Sequence, residues 1–336
     1  MAHPKPGRCP NQKWMRTLTT QESPDFSHGE CQLSLSNSNK YVFIVARRIV
    51  VNQKVNSPSV ALVTGASSGF GLLVSVALAH EGYRVVASMR NMQNKEMLTT
   101  VASEAGVYDR IEVISLDVTD FATVESVVND VTNRYGRIDV LVNNAGFAVG
   151  GFVEELSIEE WERQFATNFF GLVAVTKAVL PIMRTQRSGK IINISSISGR
   201  IGFPAIGPYV ASKFAVEGFS ESLRLEMLPY GVHVVLIEPG SFKTNIWSKG
   251  LQGVSVRSGS PYEKEMKTIM QYVNRVAKTA PPPDEVIRQI IKVVQSSTPR
   301  LRYPVGRGVT LTLRLKNWLP WKWWERIFLK TFNKQK

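Results

Sequence analysis

Thr64-Gly65-Ala66-Ser67-Ser68-Gly69-Phe70-Gly71 joins the apolar run Val60-Ala61-Leu62-Val63 to an apolar helical stretch over 72–80. A glycine-rich turn between strand and helix gathers backbone N–H groups and the positive end of a helix dipole, which together cradle phosphate. The glycines answer three needs: a tight turn, close backbone approach to a pyrophosphate, and close helix–strand packing. Their spacing is Gly-x-x-x-Gly-x-Gly, not the commoner Gly-x-Gly-x-x-Gly. A merely structural turn is the competing reading. The strand before it and the helix after it favour the cradle.

The pattern continues outward from this turn. Strands are expected at 83–88, 111–116, 138–142, 190–195 and 232–237, with helices near 94–104, 120–135, 157–183, 208–228 and 284–297. Alternating strands and helices, with each strand nearly continuously apolar, predict an α/β fold: a doubly wound parallel sheet, Rossmann-like, covered on both faces. Residues 241–280 break the rhythm and show no clear strand. Asp284, after Pro283, suits an N-cap.

Chemistry enters with Pro208-Tyr209-Val210-Ala211-Ser212-Lys213. A phenol and an ammonium four apart share one helix face. The ammonium is expected to acidify the phenol from its ordinary pKa of about 10. Ser196 ends the run Lys190-Ile191-Ile192-Asn193-Ile194-Ser195-Ser196. Neighbouring strand residues point opposite ways, so only one of Ser195 and Ser196 can face a site. Beside a phosphate cradle, this set predicts hydride chemistry: a serine polarises a carbonyl and a tyrosine exchanges the proton.

Cofactor choice should be read after the second strand, in Ala87-Ser88-Met89-Arg90-Asn91. An acid there would bind a ribose 2′-hydroxyl. Arg90 instead suits a 2′-phosphate, so NADP(H) is expected over NAD(H), with a solvated loop arginine as the alternative. Asp117, ending the third strand, is placed to meet an adenine amino group or to serve as an N-cap or loop aspartate.

The 336 residues are 43% apolar and carry a formal charge of +14. The excess sits at the ends: +5 over 1–56, +9 over 298–336 and zero between. A neutral middle offers no basic groove, so nucleic acid is not an expected partner. Both cysteines, Cys9 and Cys31, lie in the N-terminal segment, which leaves no disulfide framework or thiol metal site in the core, and no metal is expected. No uninterrupted apolar run reaches the roughly 18 residues of a membrane span. A cytoplasmic main domain is expected.

In order, 64–71, Asn143-Asn144-Ala145-Gly146, Asn168, Ser196, Tyr209 with Lys213, and Pro239-Gly240 make the chain resemble the short-chain dehydrogenases/reductases over 59–308. That resemblance implies a catalytic set of Asn168, Ser196, Tyr209 and Lys213. It also implies cofactor contacts from Gly65, Ser67, Ser68, Gly69, Phe70, Gly71, Arg90, Asp117, Val118, Asn144, Ala145, Gly146, Tyr209, Lys213, Pro239, Gly240 and Thr244. By position, Asn168 would hold a water in a proton relay, and Lys213 would bind the nicotinamide ribose. Pro239, Gly240 and Thr244 would contact the carboxamide, and 241–280 would be the substrate lid. The run 87–91 and the aromatic-rich 241–262 are similar to the branch containing 17β-hydroxysteroid and retinol dehydrogenases. A lipophilic steroid, retinoid or long-chain ketone is the implied substrate. A 3-oxoacyl-thioester reductase and a non-catalytic NADP(H)-sensing regulator are the alternatives. The family also implies a homodimer or homotetramer.

The ends are read separately. Residues 1–56 are polar and aperiodic, expected to be a disordered or non-native extension, with the domain spanning 57–308. Arg47-Arg48 encoded by AGG codons would form a purine-rich ribosome-binding stretch ahead of a start at Val51; a genuine floppy extension is the alternative. The tail 309–336 carries four of the seven tryptophans, Trp318, Trp321, Trp323 and Trp324, interleaved with Lys322, Arg326 and Lys330. Pro320 suits a first helical turn, on which Trp321, Trp324 and Phe328 would share a face. Such a helix suits peripheral contact with a lipid headgroup layer; packing on the lid or a neighbouring subunit competes with that reading.

Overall fold

A computed structural model of the chain describes residues 58–244 and 259–333. The expected extension 1–56 and the 245–258 part of the expected lid lie outside the described residues. Among the described residues, seven strands form one parallel sheet: β1 (Val60–Thr64), β2 (Arg84–Met89), β3 (Ile111–Ser115), β4 (Val140–Asn143), β5 (Gly189–Ile194), β6 (Val232–Pro239) and β7 (Arg302–Val305). Their order is β3-β2-β1-β4-β5-β6-β7, and every neighbouring pair is parallel.

Alternation along the strands builds two cores. Ala61 and Val63 face α1 (Gly69–His80), where Val74 and Leu78 meet Val286, Ile290 and Val293 of a later helix. Val60 and Leu62 face the other way, onto Val124, Val128 and Val131 of α3 (Phe121–Tyr135). Both faces being covered explains the unbroken apolar strands. Each such Leu, Ile or Val contributes roughly 1.5–3 kcal/mol on burial. Between β1 and β4 the winding reverses, which opens a crevice beyond the strand ends.

The short α2 (Glu96–Glu104) follows a 3₁₀ turn over Met92–Lys95. The helix expected near 157–183 is composite. α4 (Ile158–Phe165), started by a Ser157/Glu160 capping box, runs through a π-helical turn, Ala166–Gly171, into α5 (Leu172–Gln186). At Gly171 a Cβ would lie 2.6 Å from Val118 Cγ2, so close packing requires glycine there. Ile158–Gln186 is, among the described residues, the one helix long and apolar enough to cross a membrane. Val175, Val179 and Met183 instead bury against the sheet. α6 (Gly207–Met227) opens with Pro208, as a first turn allows.

The C-terminal third departs from expectation. α7 (Glu263–Thr279) forms within 241–280, the stretch whose sequence breaks the strand–helix rhythm, and Met266 is its one buried residue. α8 (Asp284–Gln295) buries Val286, Ile290, Val293 and Val294, with Pro283 rather than Asp284 at the N-cap. After β7 come α9 (Val309–Trp318) and α10 (Trp321–Asn333). The expected boundary at 308/309 falls where Val309 and Leu313 are buried with Ile201. Ile197, Phe203 and Trp324 pack against that cluster. One face of the tail is thus part of the body.

Candidate active site

Beyond the strand ends lies a cleft of about 600 Å³, lined by every expected site residue except Gly71 and Asn168. Its floor is the turn between β1 and α1. Gly65 has φ +68°, and a Cβ there would come 2.8 Å from Ala145 Cα. At Gly71 a Cβ would lie 2.4 Å from both Gly65 O and Asn144 Nδ2. Gly69, at φ +60°, would meet nothing nearer than Thr244 Cβ at 3.9 Å. Gly65 and Gly71 therefore serve packing, whereas Gly69 leaves open space on the cleft side. The α1 N-cap, Ser68, makes no side-chain cap bond. First-turn N–H groups without a side-chain acceptor suit an anion. These features fit a dinucleotide pyrophosphate.

Asn144, just past the end of β4, fixes this floor. Its Nδ2 donates to Thr64 O and Gly65 O at 3.0 Å. The buried Thr64 hydroxyl accepts from the N–H groups of Asn144 (3.0 Å) and Ala145 (3.1 Å). The role of Thr64 carries no local sequence signal, because its partners lie about 80 residues away.

Arg90, just after β2, has a side chain 77% exposed, with Nε 4.0 Å from Asp117 Oδ2. So loose and open a pair is worth little and leaves the guanidinium available to a phosphate. Asp117 Oδ1 accepts from Thr119 N–H (3.0 Å) and its hydroxyl (2.7 Å). Asp120, not Asp117, caps α3 by accepting from Thr123 N–H. Of the sequence alternatives for Asp117, the N-cap reading is therefore replaced by a loop-turn aspartate on the cleft wall.

β5 delivers the two serines. The Ser195 hydroxyl donates to Glu217 Oε1 at 2.5 Å. The Ser196 hydroxyl accepts from Ser198 N–H at 3.1 Å and hydrogen-bonds the Tyr209 phenol. Lys213, one helical turn from Tyr209, places Nζ 5.8 Å from the phenol ring centroid and donates to Ile194 O at 2.8 Å. The structure thus brings Ser196, Tyr209 and Lys213 together.

The acidified phenol expected from the sequence needs correction. Burial pushes the Tyr209 hydroxyl above its ordinary pKa, and the Ser196 hydrogen bond only partly opposes this. Burial also pulls Lys213 down to about 8, against the attraction of Glu217. Desolvation prevails because both groups are almost wholly enclosed. The resting phenol holds its proton.

Asn168 lies in the π turn, behind the cleft wall. Its Oδ1 accepts from Phe147 N–H (3.0 Å), and its Nδ2 donates to Phe147 O (3.0 Å) and Ser212 Oγ (3.2 Å). The side-chain amide is thus fully committed to the Phe147 backbone and Ser212. Gln164, which carries no sequence signal, clamps the same loop: it accepts from Val149 N–H at 2.7 Å and donates to Phe147 O at 2.8 Å. On the opposite wall Gly240 follows β6, and a Cβ there would lie 2.7 Å from Val309 Cγ2.

Comparison with known proteins agrees with this geometry. A family model described as short chain dehydrogenase matches residues 59–253. The chain is 47% identical over 274 residues to the uncharacterized oxidoreductase YusZ of Bacillus subtilis, covering 81% of this chain and 97% of that protein. It is 37% identical to 3-ketodihydrosphingosine reductase of Bacteroides thetaiotaomicron (78% and 94% covered). With retinol dehydrogenase 8 of Homo sapiens the identity is 38% (73% and 81% covered). Among solved structures, an actinorhodin polyketide ketoreductase variant with NADPH superimposes at a TM-score of 0.65, with 33% identity over 75% of this chain and 97% of that one. The chain belongs to the short-chain dehydrogenase/reductase family, oxidoreductases acting on CH–OH/C=O pairs, with relatives in its retinol dehydrogenase-like branch.

Proposed function

We propose that the protein is an NADP(H)-dependent reductase/dehydrogenase of a lipophilic carbonyl/secondary-alcohol pair. The observation that carries this reading is the meeting of Ser196, Tyr209 and Lys213 in one cleft with the Gly65–Gly69 turn. Arg90 stands where an acid would select NAD(H). The names of two relatives, 3-ketodihydrosphingosine reductase and retinol dehydrogenase 8, support the lipophilic class.

The steps follow from this chain's groups. The nicotinamide cofactor supplies the hydride. The first-turn N–H groups of α1 would hold its pyrophosphate, and Arg90 would hold a 2′-phosphate. Ser196 donates a hydrogen bond to the substrate carbonyl oxygen as negative charge grows there. Tyr209 gives that oxygen its proton, and in oxidation takes the proton back. The Lys213 ammonium stabilises the transient phenolate. Phe242, buried and edge-on to Phe70 at 6.1 Å, adds apolar wall to the cleft. Turnover of a panel of steroid, retinoid and long-chain ketones, followed at the reduced nicotinamide band, tests the proposal. Conversion of at least one lipophilic ketone with NADPH, faster than with NADH, is expected. Failure on every ketone and alcohol with both cofactors would sink it.

We further read the protein as a cytoplasmic homodimer or homotetramer with a peripheral membrane face. Phe170 and Phe214 are exposed on the composite helix and α6, and only 33% of the most apolar 18-residue window in 158–186 is buried within the chain. These faces suit a second copy. On α9, Leu311, Leu315 and Trp318 share one exposed face at i, i+4 and i+7 spacing. α10 exposes Trp321, Trp323, Ile327 and Leu329 beside Lys322, Arg326 and Lys330. Apolar groups flanked by cations suit an anionic headgroup layer. Co-sedimentation with phosphatidylserine vesicles is expected, and replacing Leu311, Trp318 and Trp323 together by Gln is expected to abolish it. Equal pelleting of both proteins removes the membrane face.

A further inference from the structure

Behind the Ser196–Tyr209–Lys213 group lies a partly buried ionic cluster that the proposed chemistry does not use. Tyr209, Lys213, Glu217 and Glu221 recur every four residues along α6, so one helix face carries all four. Glu217 is 4% exposed and both its oxygens are occupied. Oε1 accepts from Ser195 Oγ at 2.5 Å, and Oε2 accepts from Arg302 Nε of β7 at 2.8 Å. The Arg302 Nη2 reaches Glu221 Oε1 at 2.5 Å. Arg302 Nε also lies 3.2 Å from Glu238 Oε1 of β6, which Arg200 Nη1 meets from the other side at 3.2 Å. Glu238 Oε2 is buried without a hydrogen-bond partner. Three carboxylates (Glu217, Glu221, Glu238) thus face three cations (Lys213, Arg200, Arg302).

Such a cluster is a poor device for stability alone, because desolvation offsets most of what pairing gains. Its location suggests another use. Ser195 and Ser196 are neighbours at the end of β5, so the bond that holds Ser195 to Glu217 also directs Ser196 to the opposite side, toward Tyr209. Lys213 is enclosed, and its one described hydrogen bond is to the Ile194 carbonyl. Of the carboxylates, Glu217 is the one whose field acts on it.

We propose that Glu217 is a positioning residue of the proton-transfer site, its carboxylate, clamped by Arg302 and Ser195, supplying the counter-charge for the buried Lys213 ammonium. Facing Lys213 are Tyr209 and Glu217 from α6 and Ser196 from the end of β5. Facing Glu217 are Ser195, Lys213 and Glu221, Arg302 from β7 and Glu238 from β6. Without the Glu217 charge, Lys213 loses its proton at lower pH. Glu238, raised to about 7 by burial and by the Glu217 charge, carries its charge where Lys213 titrates, but it exerts no resolved pull on Lys213, so it does not substitute.

The inference rests on Lys213 belonging to the active site, but its test does not need turnover. Full-length protein labelled with 13C at the lysine Cε is titrated by NMR, and the Lys213 resonance is assigned with Lys213→Arg. A midpoint near 8 is expected for the unaltered protein. Glu217→Gln keeps an acceptor for Ser195 yet removes the charge, and is expected to lower the midpoint by about one pH unit. The alkaline limb of kcat should move down by the same amount. Glu238→Gln should leave the midpoint in place. An unmoved midpoint in Glu217→Gln overturns the proposal, as does an equal fall in Glu238→Gln. Should Glu217→Gln fail to fold with Arg302 left to Glu221 and Glu238 alone, Glu217→Gln/Arg302→Gln removes both charges and is expected to lower the midpoint by a smaller amount, because loss of the Arg302 cation partly offsets it; an unmoved midpoint there likewise overturns the proposal. A shifted midpoint in a protein that turns over no substrate would support the counter-charge while refuting the reductase reading.

Discussion

Tyr209→Phe is expected to lower kcat by about 10²–10⁴-fold while cofactor affinity stays unchanged. The substitution removes one oxygen and leaves the ring, so a site only 5% exposed keeps its packing. What is lost is the proton donor, together with the bond from Ser196. Fluorescence titration with NADPH separates binding from chemistry. Turnover at the original rate would mean that the proton comes from elsewhere. A regulator that merely senses the cofactor would show no change in output at all.

The second large effect is at Arg90. In Arg90→Ala, NADPH affinity should fall about 10–100-fold and NADH affinity should hold, since a charge-assisted phosphate bond is worth about 1.5–3 kcal/mol. The loose 4.0 Å contact with Asp117 is too weak to compete with a phosphate for the guanidinium. Arg90→Ala also leaves Asp117 without its cation, and its carboxylate then repels a 2′-phosphate further. Equal affinities for the two cofactors in both proteins would remove the NADP(H) preference.

Much of this architecture was legible because the signals are local. Val60–Thr64 and its glycine turn declare themselves within a dozen residues, and so does the Tyr209–Lys213 spacing. What escaped lacks local signal. β7 is four residues long, holds Arg302 and Pro304, and sits at the sheet edge, where a proline is tolerated. α7 buries little, so its periodicity reports only a mostly solvated helix. The Glu217–Arg302 bond joins residues 85 apart, and Gln164 reaches its loop partners only through tertiary folding. The phenol's acidity was misjudged for a related reason. Spacing discloses a neighbouring charge, but burial, which decides the outcome, exists only in the folded chain.

The opposed commitments of Ser195 and Ser196 make the length of β5 a matter of parity. Deleting one residue between Lys190 and Ile194, or inserting one there, would exchange the two hydroxyls, sending the reactive one into the acidic cluster and its neighbour into the cleft. Changes of two residues would restore the facing but shift the strand end by about 7 Å, beyond reach of the phenol. Indels in this stretch should therefore be far more damaging than most point substitutions.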